Sequence, residues 1–309
     1  MIKAITVTND QNESLRLVLN NPEQSEIVVE SVDGLGQEKA NINSTDNQVY
    51  DGSTFDSSVV PQKPITINLK FLPNDGDVER IRHKCYDYFP TTKNVNLEIE
   101  TDERYVNIDG YVESNLPEIF SEQEGAAITV LCMDPYFKGI IDSEKVLKGI
   151  EKDFYFPFSN ESLTEKLLIM GNVYNDTTRS IYYYGEKEVG VNIRIEFSGD
   201  LPDVQGSNIL SIQNLSYNQK ILVDMKSFKT KENITISDGD YILIDTTFGN
   251  KNIYYYQNGN EYNLLSYIDI KELSWIMLEP KYNILQFDST SNSNISGISI
   301  SNKILYRGV

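Results

Sequence analysis

Few residues in this 309-residue chain are of the types that enzymes use for nucleophilic or metal chemistry. His83 is the only histidine, and Cys85 and Cys132 are the only thiols. A zinc site needs several closely spaced Cys, His or carboxylate ligands, and a Cys–His pair needs an imidazole beside its thiol. His83 falls between Arg82 and Lys84, off the apolar stripe of its helical pattern, which favours a surface residue over a catalyst.

Carboxylates are abundant, with 46 Asp and Glu residues, so counting alone leaves a glycosidase-type acid pair open. No single pair stands out among them, and a solvated acidic surface is the simpler interpretation. Asn74–Asp77 resembles part of a calcium loop, but no Glu follows at the required distance, so we predict a turn and a helix N-cap. We therefore predict a protein that is not an enzyme, with no catalytic residue, metal site or cofactor.

Exposed aromatic residues could bind carbohydrate, because β-sandwiches often bind sugars by stacking them on exposed rings. The chain has 20 tyrosines, including the runs Tyr182–Tyr184 and Tyr254–Tyr256. Successive residues of a strand point to opposite faces, so at least one tyrosine of each run is expected to pack inward. Trp275 lies in an apolar run and is predicted to be a core residue. A carbohydrate-binding adhesin acting through this part of the chain remains the alternative function.

The elements that would position these residues are mostly strands, because apolar residues recur with a period of two. One helix is predicted over Asp77–Phe89, where apolar residues recur every three or four positions and Pro90 stops the pattern. Cys85 then lies in the helix and Cys132 in a strand, which favours buried unpaired thiols over a disulfide. Strands of this first region are predicted at Ile2–Thr8, Leu15–Leu19, Ile27–Val32, Ile65–Phe71, Val95–Ile99, Tyr105–Glu113 and Ala127–Met133.

Between Gly34 and Pro64 the alternation fails, and this stretch is predicted to be a long loop or arm. Long loops in compact domains are often functional, and an apolar cluster suggests that the arm docks on a neighbouring surface. We take these residues as candidates for a subunit interface; a flexible surface loop is the alternative. The cluster consists of Tyr50, Phe55, Val59 and Val60.

A domain boundary is predicted near residue 140, because the stretch Asp142–Lys152 is charged and poor in core residues. The domains would then be 1–140, with the arm at about 34–64, and 141–309. Short strands with hairpin signals at Asn258-Gly259 and Asp238-Gly239 predict an antiparallel β-sandwich in the second domain. Its strands are predicted at Lys166–Met170, Ile181–Tyr184, Val189–Phe197, Ile209–Gln213, Lys220–Asp224, Asn233–Ile236, Tyr241–Asp245, Asn252–Gln257, Ser274–Leu278, Asn283–Phe287 and Gly297–Leu305.

The charge of the chain limits its partners. The formal net charge is −19, and residues 1–140 carry 11 Lys and Arg against 24 Asp and Glu. Such a surface repels DNA and anionic lipid, so no direct nucleic-acid binding is expected. No apolar run reaches the roughly 20 residues that cross a bilayer, and Met1–Arg16 lacks a signal-peptide pattern. We expect no membrane insertion, and synthesis in the cytoplasm.

Two ordered series of residues are recognisable in the chain. In the first, the strand Ile128–Met133 is followed by Asp134-Pro135-Tyr136-Phe137. This series resembles the end of the N-terminal domain of siphophage distal tail (Dit) proteins. The stretch Ile236–Gly249 reads I-x-x-G-D-x-x-x-I-D-T-x-x-G and resembles their C-terminal domain. It is followed in order by Asn263-Leu264-Leu265, Ser274-Trp275 and Leu278-x-Pro280-x-x-Asn283.

The resemblance implies a fold and a function. The fold is mainly β, with a β-rich N-terminal belt domain carrying one α-helix and a galectin-like antiparallel β-sandwich at the C-terminal side. Six copies would form a ring in the virion tail tip, joining the tail tube protein to the tail-tip hub and supporting receptor-binding proteins. DNA would pass through the ring without binding to it. The family supplies no catalytic residues.

Overall fold

The computed structural model describes residues 1–47, 49–152, 171–175, 177–204, 207–289 and 294–309. The described chain divides into two compact units. Unit 1 comprises Met1–Ile140 together with Leu305–Val309, and unit 2 comprises Ile141–Ile304. The roles given to the two domains by the resemblance, a ring-forming belt and a galectin-like sandwich, remain predictions.

Unit 1 is built on an antiparallel sheet in the order β2-β1-β7-β8-β9-β6-β3, and a short strand, β10, pairs with both β8 and β24. The two-stranded ribbon β4–β5 forms a separate sheet. The elements of unit 1 are β1 (Ile2–Thr8), β2 (Ser14–Val18), β3 (Ile27–Asp33), β4 (Asn41–Asp46), β5 (Ser53–Val59), β6 (Lys63–Phe71), α1 (Val78–Tyr88), β7 (Asn94–Thr101), β8 (Tyr105–Pro117), β9 (Gly125–Cys132), β10 (Phe137–Gly139) and β24 (Leu305–Tyr306).

The core of unit 1 follows from the alternation in its strands and from one face of its helix. In β6 every second residue is buried, from Lys63 to Phe71. Helix α1 buries Ile81 and Cys85 against the same cluster. The helix starts where the Asp77 carboxylate accepts a hydrogen bond from the backbone N–H of Arg80, at 3.1 Å. The predicted turn, N-cap and helix are confirmed.

Unit 2 contains an antiparallel sheet in the order β12-β11-β23-β15-β18-β19-β20, a four-stranded sheet in the order β13-β22-β16-β17, and the short pair β14–β21. Its elements are β11 (Ser143–Lys152), β12 (Gly171–Asn175), β13 (Thr178–Tyr183), β14 (Val189–Gly190), β15 (Asn192–Ser198), β16 (Ile209–Asn214), β17 (Gln219–Asp224), α2 (Met225–Glu232), β18 (Asp238–Asp245), β19 (Asn252–Gln257), β20 (Asn260–Asn263), β21 (Met277–Leu278), β22 (Lys281–Ser289) and β23 (Ile295–Asn302).

The mainly β fold class is confirmed, and so is the hairpin at Asn258-Gly259. In that hairpin Gln257 pairs with Asn260, so the turn has two residues, and both have positive φ, 50° and 80°. These angles fit a type I′ turn, which matches the right-handed twist of the flanking strands. Among the described residues, no helix is both long enough and apolar enough to cross a membrane.

The elements of unit 2 differ from the predicted ones at three places. Helix α2 was not predicted, because it buries only Met225 and Phe228 and so shows little apolar periodicity. Asn233–Ile236 is not a strand, since Asn233 ends α2 in the left-handed conformation with φ 52°. Asp238-Gly239 is not a hairpin turn but the start of β18.

Two further predictions differ from the structure in extent. The charged stretch Asp142–Lys152 is largely strand β11, which pairs with β12 and β23 and buries Leu147. The strand predicted over Ser274–Leu278 is reduced to its last two residues. The predicted strand Lys166–Met170 lies outside the described residues.

Candidate assembly site

The predicted arm contains a β-hairpin, which we define as Asn41–Val59. Strand β4 pairs with β5 antiparallel, from Asn41 opposite Val59 to Asp46 opposite Ser53. All residues of both strands are exposed. A lone two-stranded ribbon is only marginally stable in water, because it has no core to bury its side chains against. The prediction of a loop is therefore corrected to a hairpin with exposed strands, whose register shifts between Asn43 and Ser44.

Polar side chains connect the two strands of the hairpin. Asn43 Nδ2 donates to Ser57 Oγ at 3.0 Å, and Thr45 Oγ1 donates to Asp56 Oδ2 at 2.7 Å. Cross-strand pairs of this kind stabilise antiparallel strands by a few tenths of a kcal/mol to about 1 kcal/mol each. These bonds explain why the Asn- and Ser-rich stretch forms strands without an alternating apolar pattern.

The opposite face of the hairpin carries apolar side chains. Ile42 pairs with Ser58, and Phe55 pairs with Ser44. Paired residues share a face, and Ile42 and Ser44 share one because they are two positions apart. Ile42 and Phe55 therefore lie on one face, away from Asn43, and they are 67% and 63% exposed. We call this pair the apolar face of the hairpin.

The four predicted interface residues lie in different parts of the arm. Phe55 belongs to the apolar face, whereas Val59 shares a face with Asn41. Tyr50 lies between the strands and is 79% exposed, and Val60, just after β5, is half-buried. Sequence reasoning missed Ile42, which stands alone among polar residues. Docking of any of these residues remains a prediction.

The two ends of the arm, Gly34–Glu38 and Lys63–Pro64, are held by close contacts, and we call them the root of the arm. Gly34 has φ +88°, and a Cβ at this position would lie 2.2 Å from the carbonyl oxygen of Pro64, so only glycine fits. The Lys63 side chain is fully buried, donates to the carbonyl oxygen of Gly36 and lies 3.9 Å from the Glu38 carboxylate. Burial lowers the pKa of Lys63, and Glu38 opposes that shift by favouring the charged form.

The histidine and the two cysteines lie in different environments. His83 is exposed and lies 3.6 Å from Glu79 one helical turn away. Cys85 and Cys132 are free buried thiols, and burial is the main cause that raises each pKa to about 12. Over the residues that the structure describes, no three His, Cys, Asp or Glu side chains are grouped to hold a metal ion.

The tyrosine runs alternate as predicted. Tyr183 is buried, while Tyr182 and Tyr184 are exposed. The Tyr182 ring contacts both Tyr184 and Tyr282 edge-to-face, at centroid distances of 4.7 and 4.9 Å. Trp275 is half-buried, with Lys251 Nζ 5.8 Å from its ring, so its prediction as a core residue is only partly right.

Comparison with solved structures provides the deciding observation. The chain is similar to the crystal structure of the Dit (gp 19.1) protein of phage SPP1 with a TM-score of 0.65 and 12% identity, over 97% of this chain and 98% of that one. This chain has the fold of a phage distal tail protein. The distal tail protein fold thus spans both units.

Two structures of the phage P2 baseplate in its activated conformation, one with Ca and one with Sr, are also similar. Their TM-scores are 0.45 and 0.43, with 14% and 13% identity, over 98% and 97% of this chain and the same shares of theirs. No family model matches the chain, and no curated protein matches it.

Proposed function

We propose that this chain is a structural protein of the phage tail tip, a distal tail protein whose copies close into a hexameric ring. The ring joins the tail tube to the tail-tip hub and supports host-adhesion proteins. Unit 1 forms the ring. The protein acts through contacts with its own copies and with tail proteins, and it has no catalytic role.

The observation that carries this proposal is the hairpin. Its strands are wholly exposed, and it presents Ile42 and Phe55 on one face. An exposed apolar patch on a ribbon without a core points to a protein interface. Similarity to a protein described as a paradigm of the hub adsorption apparatus in phages that infect Gram-positive bacteria supports the same role.

Light scattering on the intact chain tests the role of the hairpin. We expect assemblies of six copies, and we expect the double variant Ile42→Asp with Phe55→Asp to remain monomeric, because each new charge would be buried without a partner. Phe248→Asp is the matched control, since Phe248 is 96% exposed in unit 2. Six-copy assemblies of the double variant would contradict the interface assigned to the hairpin.

Sugar binding by unit 2 is the second candidate, and the cluster of Tyr182, Tyr184 and Tyr282 favours it. Exposed tyrosine rings can stack on the apolar faces of sugars. If this cluster binds glycans, the intact chain should bind purified host wall polysaccharide, and Tyr184→Ala with Tyr282→Ala should abolish binding. Tyr217→Ala is the control. Equal binding by the double variant and the intact chain would reject the site.

Measured turnover of peptidoglycan or glycan by the purified chain would overturn the proposal of a purely structural role.

A further inference from the structure

The segment Leu305–Val309 returns to unit 1 and lies on the root of the arm. In β24, Tyr306 pairs with Phe137 and Leu305 pairs with Lys138. Beyond β24, the backbone N–H of Val309 donates to the carbonyl oxygen of Leu35 at 3.0 Å. The segment therefore joins β10 at one end and the start of the arm at the other.

Side chains of unit 1 hold this segment in place. The Arg104 guanidinium donates to the carbonyl oxygen of Gly308 at 3.1 Å and lies 4.4 Å from the centroid of the Tyr306 ring. A Cβ on Gly308 would lie 3.1 Å from the carbonyl oxygen of Leu35, so the two backbones are in close contact. A cation over an aromatic ring is attracted by the negative face of the ring.

The buried ammonium of Lys63 is hydrogen-bonded to both the arm root and the segment Leu305–Val309. Lys63 Nζ donates to the carbonyl oxygens of Gly36 and of Arg307, the latter at 3.4 Å. It also lies 4.7 Å from the centroid of the Phe137 ring. A buried ammonium needs such acceptors, because burial without them is costly. Removing the segment would therefore leave Lys63 with fewer partners and the arm root with fewer contacts.

We propose that Leu305–Val309 is a clasp that fixes the direction in which the arm leaves unit 1. The strands of the hairpin are fully exposed, so the direction of the hairpin is set at its root. This inference rests on the proposed function, because a fixed hairpin is what a ring contact requires.

The clasp follows all of unit 2 in the sequence. Only Lys303 and Ile304 separate it from β23 of unit 2. The clasp is therefore synthesised after all of unit 2, and the arm is not fixed until then. A nascent chain that has only unit 1 residues 1–140 would carry a loosely directed arm, which disfavours ring contacts before synthesis of unit 2 is complete.

Spin labels on the full chain test the clasp. Labels at Asp51→Cys in the arm and Thr91→Cys in unit 1 would react selectively, because the native thiols are buried. Labelled chain is diluted with unlabelled chain so that distances within one copy dominate. We expect a narrow distance distribution, and one about twofold wider when residues 305–309 are deleted or when Tyr306→Ala is introduced. Tyr217→Ala, in unit 2, should leave the width unchanged.

The outcomes separate the clasp from the proposed function. Unchanged width in both clasp variants would overturn the clasp, whether or not the intact chain forms rings. Wider distributions in an intact chain that never forms rings would support the clasp and count against the ring. If the deletion unfolds unit 1, Tyr306→Ala in the full-length chain decides.

Discussion

Burial sets the chemistry of the two cysteine thiols, and each has a pKa of about 12 in the folded protein. A thiol reacts as its thiolate, so both should be inert at neutral pH. Because folding raises these pKa values, the protonated thiols stabilise the fold fully below about pH 9, and this contribution is lost as the pH rises towards about 12.

Reaction with Ellman's reagent at pH 8 checks this prediction. We expect the native protein to react at least about a hundredfold more slowly than the protein unfolded in guanidinium, which serves as its own control. Rapid reaction of one thiol in the native protein would show that it is accessible, and would contradict its assignment to the core.

At the scale of single residues, the sequence predicted the features that depend on near neighbours in the chain. The two thiols and the Asp77 cap were predicted from local patterns, because helix periodicity and capping depend on neighbours in sequence. The buried Lys63 could not be predicted, because its acceptors at Gly36 and Arg307 are distant in sequence.

At the scale of elements, the hairpin turn Asn258-Gly259 is the clearest case of local control. Gly259 has φ +80°, and a Cβ there would meet no atom within 4 Å. Gly259→Ala should therefore cost about 1 kcal/mol through backbone conformation alone. Chemical denaturation measures this loss.

Gly36 supplies the matched control for that turn. A Cβ on Gly36 would also meet no atom within 4 Å, and its φ is not in the left-handed region. Gly36→Ala should change the free energy of unfolding by less than about 0.5 kcal/mol. Equal losses for the two variants would show that the conformation of the turn is not the cause.

The elements that sequence reasoning missed share one property, a weak apolar pattern. Helix α2 is signalled only by Asp224 at its start and Asn233 at its end. Strands β4 and β5 are polar, and cross-strand pairs hold them together. Strand β11 forms because it pairs with β12 and β23. Pairing with distant strands leaves little trace in the local sequence.

At the scale of the whole molecule, charge is the property that sequence determines directly. The acidic excess of residues 1–140 would repel DNA if it faced the centre of a ring. Sets of exposed unit 1 acids replaced by the corresponding amides should slow DNA ejection from particles carrying the variant. Asp238→Asn with Asp269→Asn, both in unit 2, is the control. Unchanged ejection kinetics with every unit 1 set would contradict this role of the charge.

The path of the chain is the whole-molecule feature that sequence did not predict. The second domain was expected to extend to residue 309, yet Leu305–Val309 belongs to unit 1. This segment has too few residues for a periodic pattern, and its partners Leu35 and Phe137 lie far away in sequence.

Ring closure by identical copies is the central claim, and negative-stain electron microscopy of the purified chain tests it most directly. We predict particles with six-fold symmetry and a central hole. Monomers alone, at high concentration and even with the neighbouring tail proteins added, would contradict it.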